Sequence, residues 1–345
     1  MARLGGAAAV LTLFAAVLSG CGDAAPTAAT ASSAHPSGAA PPGARSAIRI
    51  ASLRGPTTMG LVKLMSDVET GQGRQDYRVA MYATADEVVP LIARGEVDVA
   101  LLPANLASVL YNKTKGSNGS QIEVAAINTL GMLEVVEAGD TVKSIPDLRA
   151  KTIYSTGKGS SPEYVLNYLL KRNGLDPAKD VDVEFTSEAT EVAALLLAMP
   201  DAIGLLPQPY ATVLKSKDPT IRTALSLTDE WAKVTPDSQL VTGVVVVRRA
   251  FADTHRGALN DFLTDDKAST AFTNSNPAEA APMIVKAGIV PSAQIAEAAI
   301  PACNITYIDG AGLQTVLSGY LQVLLAADPA SVGGSLPGDD FYYRP

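Results

Sequence analysis

Strand-like and helix-like periods alternate from residue 47 to about residue 247. The stretch "AIRIASL" (47–53) reads as a buried strand, and "TTMGLVKLMSDVETG" then sets Leu61, Leu64, Met65 and Val68 on one helical face. "ADEVVPLIARG" reads as a helix, "DVALLP" as a strand and "ANLASVLYNK" as a helix, followed by two strand-like segments, Ile122 to Ile127 and Met132 to Val136. The order then restarts. "KTIYST" is a strand, Pro162 to Arg172 a helix, "VDVEF" a strand, "EATEVAALLLAM" a helix, "AIGLLP" a strand and "QPYATVLKSK" a helix. A β-branched run from Leu240 to Val247 predicts one more buried strand, and from Phe251 onward the pattern is mostly helical.

The restart is a repeat. At an offset of 104 residues, "EVVPLIARGEVDVALLPANLASVL" (87–110) falls on "EVAALLLAMPDAIGLLPQPYATVL" (191–214) without a gap and with nine identities, among them the Leu-Leu-Pro that closes a strand in both copies. Gly55 falls on Gly159 at the same offset. Two structurally related α/β lobes are therefore expected. In an open α/β sheet, ligands bind beyond the carboxyl ends of the strands, where helices begin. Four such loops are legible: "LRGPTTMG", "LPANLAS", "TGKGSSPE" and "LPQPYAT". Were they to converge, free backbone N–H groups and positive helix ends would favour a small anion or a polar zwitterion.

The N-terminal pattern differs from all of this. Arg3 precedes the apolar run "AAAVLTLFAAVL", too short for a transmembrane span and of signal-peptide length, and the run ends in Leu18-Ser19-Gly20-Cys21, which resembles a bacterial lipobox. The segment "GDAAPTAATASSAHPSGAAPPGARS" has almost no aliphatic residue larger than Ala and is read as a flexible tether with a reach of roughly 25–30 Å. No later stretch is read as long and apolar enough to cross a bilayer. The remaining 300 or so residues exceed one ordinary core and suit two lobes.

These features, with "GEVDVALLPANLASVLYNK", "SIPDLRAKTI" leading into a glycine-rich turn, "LLPQPYATVL" and the ending "LPGDDFYYRP", resemble the solute-binding lipoproteins of ABC importers, nearest to the group that includes sulfonate, taurine, nitrate and thiamine-precursor binders. The resemblance implies a two-lobed type II periplasmic-binding-protein fold, each lobe a mixed sheet flanked by helices, with the ligand cleft between them. It implies a signal peptide over 1–20, lipidated Cys21 and tether over 21–46, a first lobe over 47–138, a second over 139–239, and a return to the first lobe with a C-terminal helical segment over 240–345. Crossover segments are expected near Glu137 to Asp140 and Gln239 to Gly243. The implied partners are a small solute, an ABC permease and, through Cys21, the outer face of the cell membrane; the protein is expected to be a monomer without cofactor or metal.

Site residues carried over are Arg54, Gly55, Thr57 and Thr58 on the first loop, Asn105 on the second, Gly157, Lys158, Gly159, Ser160 and Ser161 on the third, and Gln208 and Tyr210 on the last. The Ala, Asn, Gln and Tyr of these loops match no single ligand subgroup, so sulfonate, nitrate, carboxylate and pyrimidine-like solutes all stay open. Arg54 suits bidentate pairing with a carboxylate or sulfonate. Trp231 reads as a packing residue rather than a stacking wall.

Other chemistries fit less well. Gly157-Lys158-Gly159-Ser160-Ser161 is not a P-loop, because Ile153 stands where the first glycine belongs and Gly159 follows the lysine directly; Pro162 likewise breaks the dinucleotide fingerprint. The stretch does match a helix start, capped by Ser161 ahead of Pro162 or by Ser160 with Glu163 three residues on. A formal charge of −8 without basic runs argues against nucleic acid. Cys21 and Cys303 form no disulfide if Cys21 carries lipid. The fold also serves a menaquinone-pathway dehydratase branch and pyrimidine-precursor synthesis, but beyond the tether only His255 remains, and no triad, metal spacing or carboxylate pair stands out. A ligand-sensing lipoprotein without a permease is the other alternative.

Overall fold

Buried β-branched and leucine-rich segments form the centres of two sheets. The computed structural model describes residues 45–117 and 119–344; the signal peptide, Cys21 and the tether before Arg45 lie outside them. In chain order the elements are β1 (Ala47–Leu53), α1 (Pro56–Met59), α2 (Val62–Glu69), β2 (Asp76–Tyr82), α3 (Ala85–Arg94), β3 (Val99–Pro103), α4 (Ala104–Thr114), β4 (Ile122–Leu130), β5 (Leu133–Glu137), β6 (Thr152–Ser155), α5 (Ser161–Arg172), β7 (Asp182–Phe185), α6 (Ala189–Ala198), β8 (Ile203–Pro207), α7 (Tyr210–Lys217), β9 (Arg222–Ser226), α8 (Leu227–Val234), β10 (Val241–Arg248), α9 (Arg249–Thr254), α10 (Arg256–Ser275), α11 (Pro277–Lys286), α12 (Ala293–Ala299), β11 (Ile305–Ile308) and α13 (Gly310–Ala327). The first sheet runs β11-β4-β10-β3-β1-β2 and the second β7-β6-β8-β5-β9. In each, three parallel strands (β2-β1-β3 and β7-β6-β8) are extended by an antiparallel strand, β10 or β5.

The repeat has structural boundaries. α3 and α6, and likewise β3 and β8, begin and end 104 residues apart. The apolar face expected ahead of residue 69 is present, with Leu61, Val62 and Leu64 buried and Met65 and Val68 packed against the core. Gly95 in the left-handed conformation (φ 73°) ends α3, where a Cβ would be strained.

The crossover positions need a correction. β5 pairs with β8 and β9, so the chain leaves the first sheet at Gly131 and Met132, ahead of the expected Glu137 to Asp140, and Leu133 to Ala138 belong to the second lobe. The return falls between α8 and β10, so of the expected Gln239 to Gly243 only Gln239 and Leu240 lie in it, and Val241 to Gly243 already belong to β10. The two crossings pack on one another. A Cβ on Gly131 would overlap Thr228 Oγ1 and the Leu240 side chain, and Thr242 Oγ1 donates to the Leu130 carbonyl.

One apolar cluster is continuous through both lobes, containing Ala100 and Val244 of the first sheet, Ile153 and Leu205 of the second, and Leu133, Leu240, Trp231 and Tyr320 between them. Arg45–Pro345 accordingly form one unit. α13 satisfies the length and composition of a membrane span, contrary to the sequence reading. Its Leu313, Leu317, Tyr320, Leu321 and Leu324 are buried, however, in packing against β4, β10, α4 and α5. Trp231 is sealed between Tyr168 and Tyr320, with ring centroids 4.9 and 5.5 Å away, and its indole N–H donates to the Ser238 carbonyl.

On α10, Asp266 is buried with Oδ2 unpartnered, and loss of solvation pushes its carboxyl up from 3.8 to about 7. Between these values the folded state holds a proton that the unfolded chain has released, so stability falls as pH rises through this window and the penalty is complete above it. Asp266→Asn is therefore expected to stabilise the fold at about pH 8 by an amount on the order of 3 kcal/mol, with the gain shrinking toward about pH 4. Thermal denaturation of both proteins across that range checks it; a gain independent of pH contradicts it.

Candidate functional site

Between the two sheets lies a cavity of about 470 Å³, within the range of small-molecule sites. Six strand-to-helix junctions line it. The first lobe contributes Leu53 to Thr57 (without Gly55), Ala83 to Asp86, and Pro103 with Leu106; the second contributes Thr156 to Pro162, Thr186 to Ala189, and Pro207, Gln208 and Tyr210. All come after parallel strands, so helix N-termini point toward a common space, with their unpaired N–H groups and partial positive charge. Thr129, Met132, Leu133 and Thr242, at or beside the crossings, complete the wall.

The α5 junction is the most elaborated. Gly157 and Gly159 adopt φ of 76° and 74°, which bends the chain tightly after β6. A Cβ on Gly157 would come within 2.7 Å of Ser160 Oγ, so the turn closes only on glycine. The Ser160 amide and hydroxyl both donate to the Gly157 carbonyl, at 3.0 and 2.8 Å. Ser160 occupies the N-cap position, Ser161 begins the helix and Pro162 comes next, while the Glu163 carboxylate accepts from the Gly159 amide at 2.6 Å. Ser160 holds the N-cap position as one of the two expected geometries placed it, but neither expected cap bond forms: its hydroxyl turns back to the Gly157 carbonyl, and Glu163 reaches the Gly159 amide instead of the cap residue.

The lobes meet beside this helix start. Ser161 Oγ donates to Asn105 Oδ1 (3.2 Å) and accepts from Tyr320 OH (3.5 Å), and Asn105 Nδ2 donates to the Ser331 carbonyl (3.1 Å). Asn105 is thus fully buried in a cross-lobe hydrogen-bond chain and does not line the cavity, unlike the expectation from sequence. Thr58 is likewise turned inward, its hydroxyl within 2.7 Å of both Ser52 Oγ and the Leu53 carbonyl. Gln208 reaches the cavity wall, but its amide is held on both sides: Nε2 donates to Glu134 Oε1 at 2.9 Å, and Oε1 accepts from Thr212 Oγ1 at 2.8 Å. Gly55 lies behind the wall with φ of 131°, and a Cβ added there would stand about 4 Å from Gln208, Pro209 and Tyr210 of the other lobe.

Arg54 and Lys158 line the cavity, both exposed, and neither has a carboxylate within ion-pair distance among the described residues. They stand at equivalent positions of the repeat, 104 residues apart. Burial pushes the Tyr210 phenol above its ordinary range, opposed by the charge of Arg54 and reinforced by that of Glu188, which places the phenol between unlike charges. Asp86 and Glu188 supply the carboxylates of the lining. The junctions at 83–86 and 186–189 were not singled out from sequence, although extending the repeat by three residues carries Thr84 onto Glu188. Trp231 lies outside the lining, as does His255, which stacks on Phe251 at 4.9 Å. Among the described residues no group of three His, Cys, Asp or Glu is placed to hold a metal ion.

A family model for the periplasmic substrate-binding protein of phosphonate ABC transporters matches residues 59–292. The chain belongs to this family. Its members are substrate-binding components, not enzymes; they bind small solutes and deliver them to a membrane permease. Solved structures show the same fold: an ABC transporter protein from Parabacteroides distasonis (23% identity, TM-score 0.70, 86% of this chain and 99% of that one), the aliphatic sulphonate binding protein SsuA from Escherichia coli (14%, 0.67, 86% and 96%) and the nitrate-binding protein NrtA from Synechocystis PCC 6803 (12%, 0.58, 78% and 74%). Comparison with curated protein sequences gave no match.

The close approach of Gly55 to the opposing loop yields a direct check. A Cβ there meets only ordinary contacts at 3.9–4.0 Å, so the cost of Gly55→Ala comes from the backbone conformation. The variant should lose about 1–3 kcal/mol of stability in chemical denaturation. An unchanged midpoint would show that the loop relaxes freely.

Proposed function

We propose that this chain captures a small solute bearing an oxoanion head group, a phosphonate or a sulfonate, and presents it to the permease of an ABC importer. The observation that carries the reading is the convergence of six helix starts on one cavity, with the glycine-bent, serine-rich start of α5 among them and an unpaired cation from each lobe, Arg54 and Lys158. Backbone N–H groups at a helix start and a guanidinium both match the geometry of an oxoanion. Asp86 and Glu188 in the same lining make room for a cationic group elsewhere on the solute, so aminoalkyl phosphonates and sulfonates belong to the class. The match to a phosphonate-binding family and the likeness to sulphonate and nitrate binders support it. Of the residues named from sequence, we assign contact with solute to Arg54, Thr57, Gly157 to Ser161 and Tyr210, and supporting roles to Gly55, Thr58, Asn105 and Gln208.

A thermal-shift panel of methylphosphonate, 2-aminoethylphosphonate, methanesulfonate, taurine, nitrate, a short carboxylate and a pyrimidine tests this. A solute at a hundred times its Kd adds about 2.7 kcal/mol of stability, a rise of several degrees. Shifts with phosphonates or sulfonates are expected. A shift confined to the uncharged pyrimidine overturns the oxoanion reading.

We further propose that Cys21 is lipidated after removal of residues 1–20 and that the tether holds the binding domain at the outer face of the membrane. Two or more acyl chains suffice for stable anchoring. Cys21→Ala should move the protein from the membrane fraction to the soluble fraction on centrifugation; retention in the membrane fraction contradicts the anchor.

A further inference from the structure

We propose that the solute carries an uncharged apolar body behind its head group. Leu106 of α4 and Met132 of the first crossing are then specificity-determining residues that pack against that body. This deepens the oxoanion reading above and rests on it. The cavity is too large for a head group alone. A methyl-capped phosphonate or sulfonate takes up about as much room as four waters, on the order of 120 Å³ at ~30 Å³ each, against a cavity of about 470 Å³.

The register of the strands shows what lines the remaining space. β3 and β8 both run apolar to a final proline, Pro103 and Pro207, and both prolines line the cavity. Leu133 of β5 pairs opposite Pro207, and the Met132 carbonyl accepts from the Gln208 amide at 3.0 Å, so Met132, Leu133 and Pro207 adjoin on one side. Leu106 follows Pro103 by three positions at the start of α4 and extends the apolar surface on the other. Both Leu106 and Met132 are half-buried, and among the described residues neither joins any of the apolar clusters that form the core. Leu133, by contrast, is buried in the cluster shared by the lobes. Two large apolar side chains that line enclosed space instead of core gain an apolar partner from a solute.

Charge is confined to the rim. Arg54, Asp86, Lys158 and Glu188 all line the cavity, and all are exposed. The buried threonine hydroxyls of the lining direct their protons at the protein. Thr57 Oγ1 donates to the Leu53 carbonyl at 2.6 Å, Thr242 Oγ1 to the Leu130 carbonyl and Thr129 Oγ1 to Asn128 Oδ1 at 3.4 Å. A charged head group is thus served by the rim and the helix starts, and the space beside the proline-ended strands suits a group that requires no hydrogen bonds.

Calorimetry on the wild type, Leu106→Asn and Met132→Gln tests this with the methyl, propyl and hexyl members of the alkylsulfonates and alkylphosphonates, and with 1-hexanol as an uncharged control. Burial of one methylene corresponds to about fourfold in affinity. The wild type should therefore bind the propyl probes about 15-fold tighter than the methyl ones, and the hexyl probes tighter still. In each variant the ratio of hexyl to methyl affinity should fall by about tenfold, because a polar group then meets the chain. The wild-type series depends on no variant, so a variant that fails to fold leaves it intact. Methyl probes that bind the wild type as tightly as hexyl ones overturn the apolar body and leave the oxoanion reading standing. An unchanged ratio in either variant removes that residue from the contact. A wild type that binds 1-hexanol but no sulfonate or phosphonate overturns the oxoanion reading and keeps the apolar contact; one that binds no probe overturns both.

Discussion

The close packing of two crossing segments at Gly131 and Gly243 is the constraint on which the rest of the molecule depends. The chain passes between the lobes twice, and each passage delivers a strand to the other sheet: β5 into the second, β10 back into the first. Side chains at these two glycines would collide with Thr228 of α8 and with Leu240 in one case, and with Asn128 and Thr129 of the neighbouring strand β4 in the other. Beside them Thr242 Oγ1 donates to the Leu130 carbonyl, tying the start of β10 to the end of β4. The same close approach continues the apolar cluster from lobe to lobe through Leu133 and Leu240, so the lobes share packing while keeping separate sheets.

Upon that base the cleft acquires its chemistry from topology. Three parallel strands per sheet, all ending at the cleft, set six helix starts around one cavity. Not all remain available. Glu87 accepts from the Ala83 and Thr84 amides, which uses part of the positive end of α3. Glu163 does the same at Gly159 ahead of α5, but it sits one turn in and leaves the hydroxyl-bearing start, Ser160 and Ser161, on the cavity wall. Gln208, bound to Glu134 and Thr212, is a brace that fixes the last loop rather than a free ligand.

Interior strands are legible in the sequence, and of the edge strands only β7 is. β1, β3, β8 and β10 lie inside their sheets and read as largely apolar runs. β2, β9 and β11 lie at sheet edges, where exposed and half-buried positions mix; Asp76 and Arg78 interrupt the first of them, and the last has four residues. The first crossover escapes the pattern for a related reason: β5 is as apolar as β4, and an apolar strand does not reveal which sheet it joins. Asn105 illustrates a finer limit. A polar residue just past a strand end suggests a ligand contact, but in α4 it stands on the face packed toward Ser331, and only the fold of the far C-terminal segment decides that.

The repeat also explains why the two lobes are not equal partners toward an anion. Arg54-Gly55 and Lys158-Gly159 are equivalent, so each lobe offers a cation ahead of a glycine with positive φ. Beyond that glycine the two copies diverge. In the first lobe the helix α1 has four residues and the Thr57 and Thr58 hydroxyls turn back to the Leu53 carbonyl. In the second, α5 runs for twelve residues from Ser161, and its aligned peptide dipoles end at the cavity. A helix of one turn carries little of that field. On the proposed oxoanion reading, the longer helix start makes the second lobe the stronger side toward a head group, with Arg54 lining the cavity from the first. Divergence between two copies of one architecture thus makes the two sides of the cleft unequal.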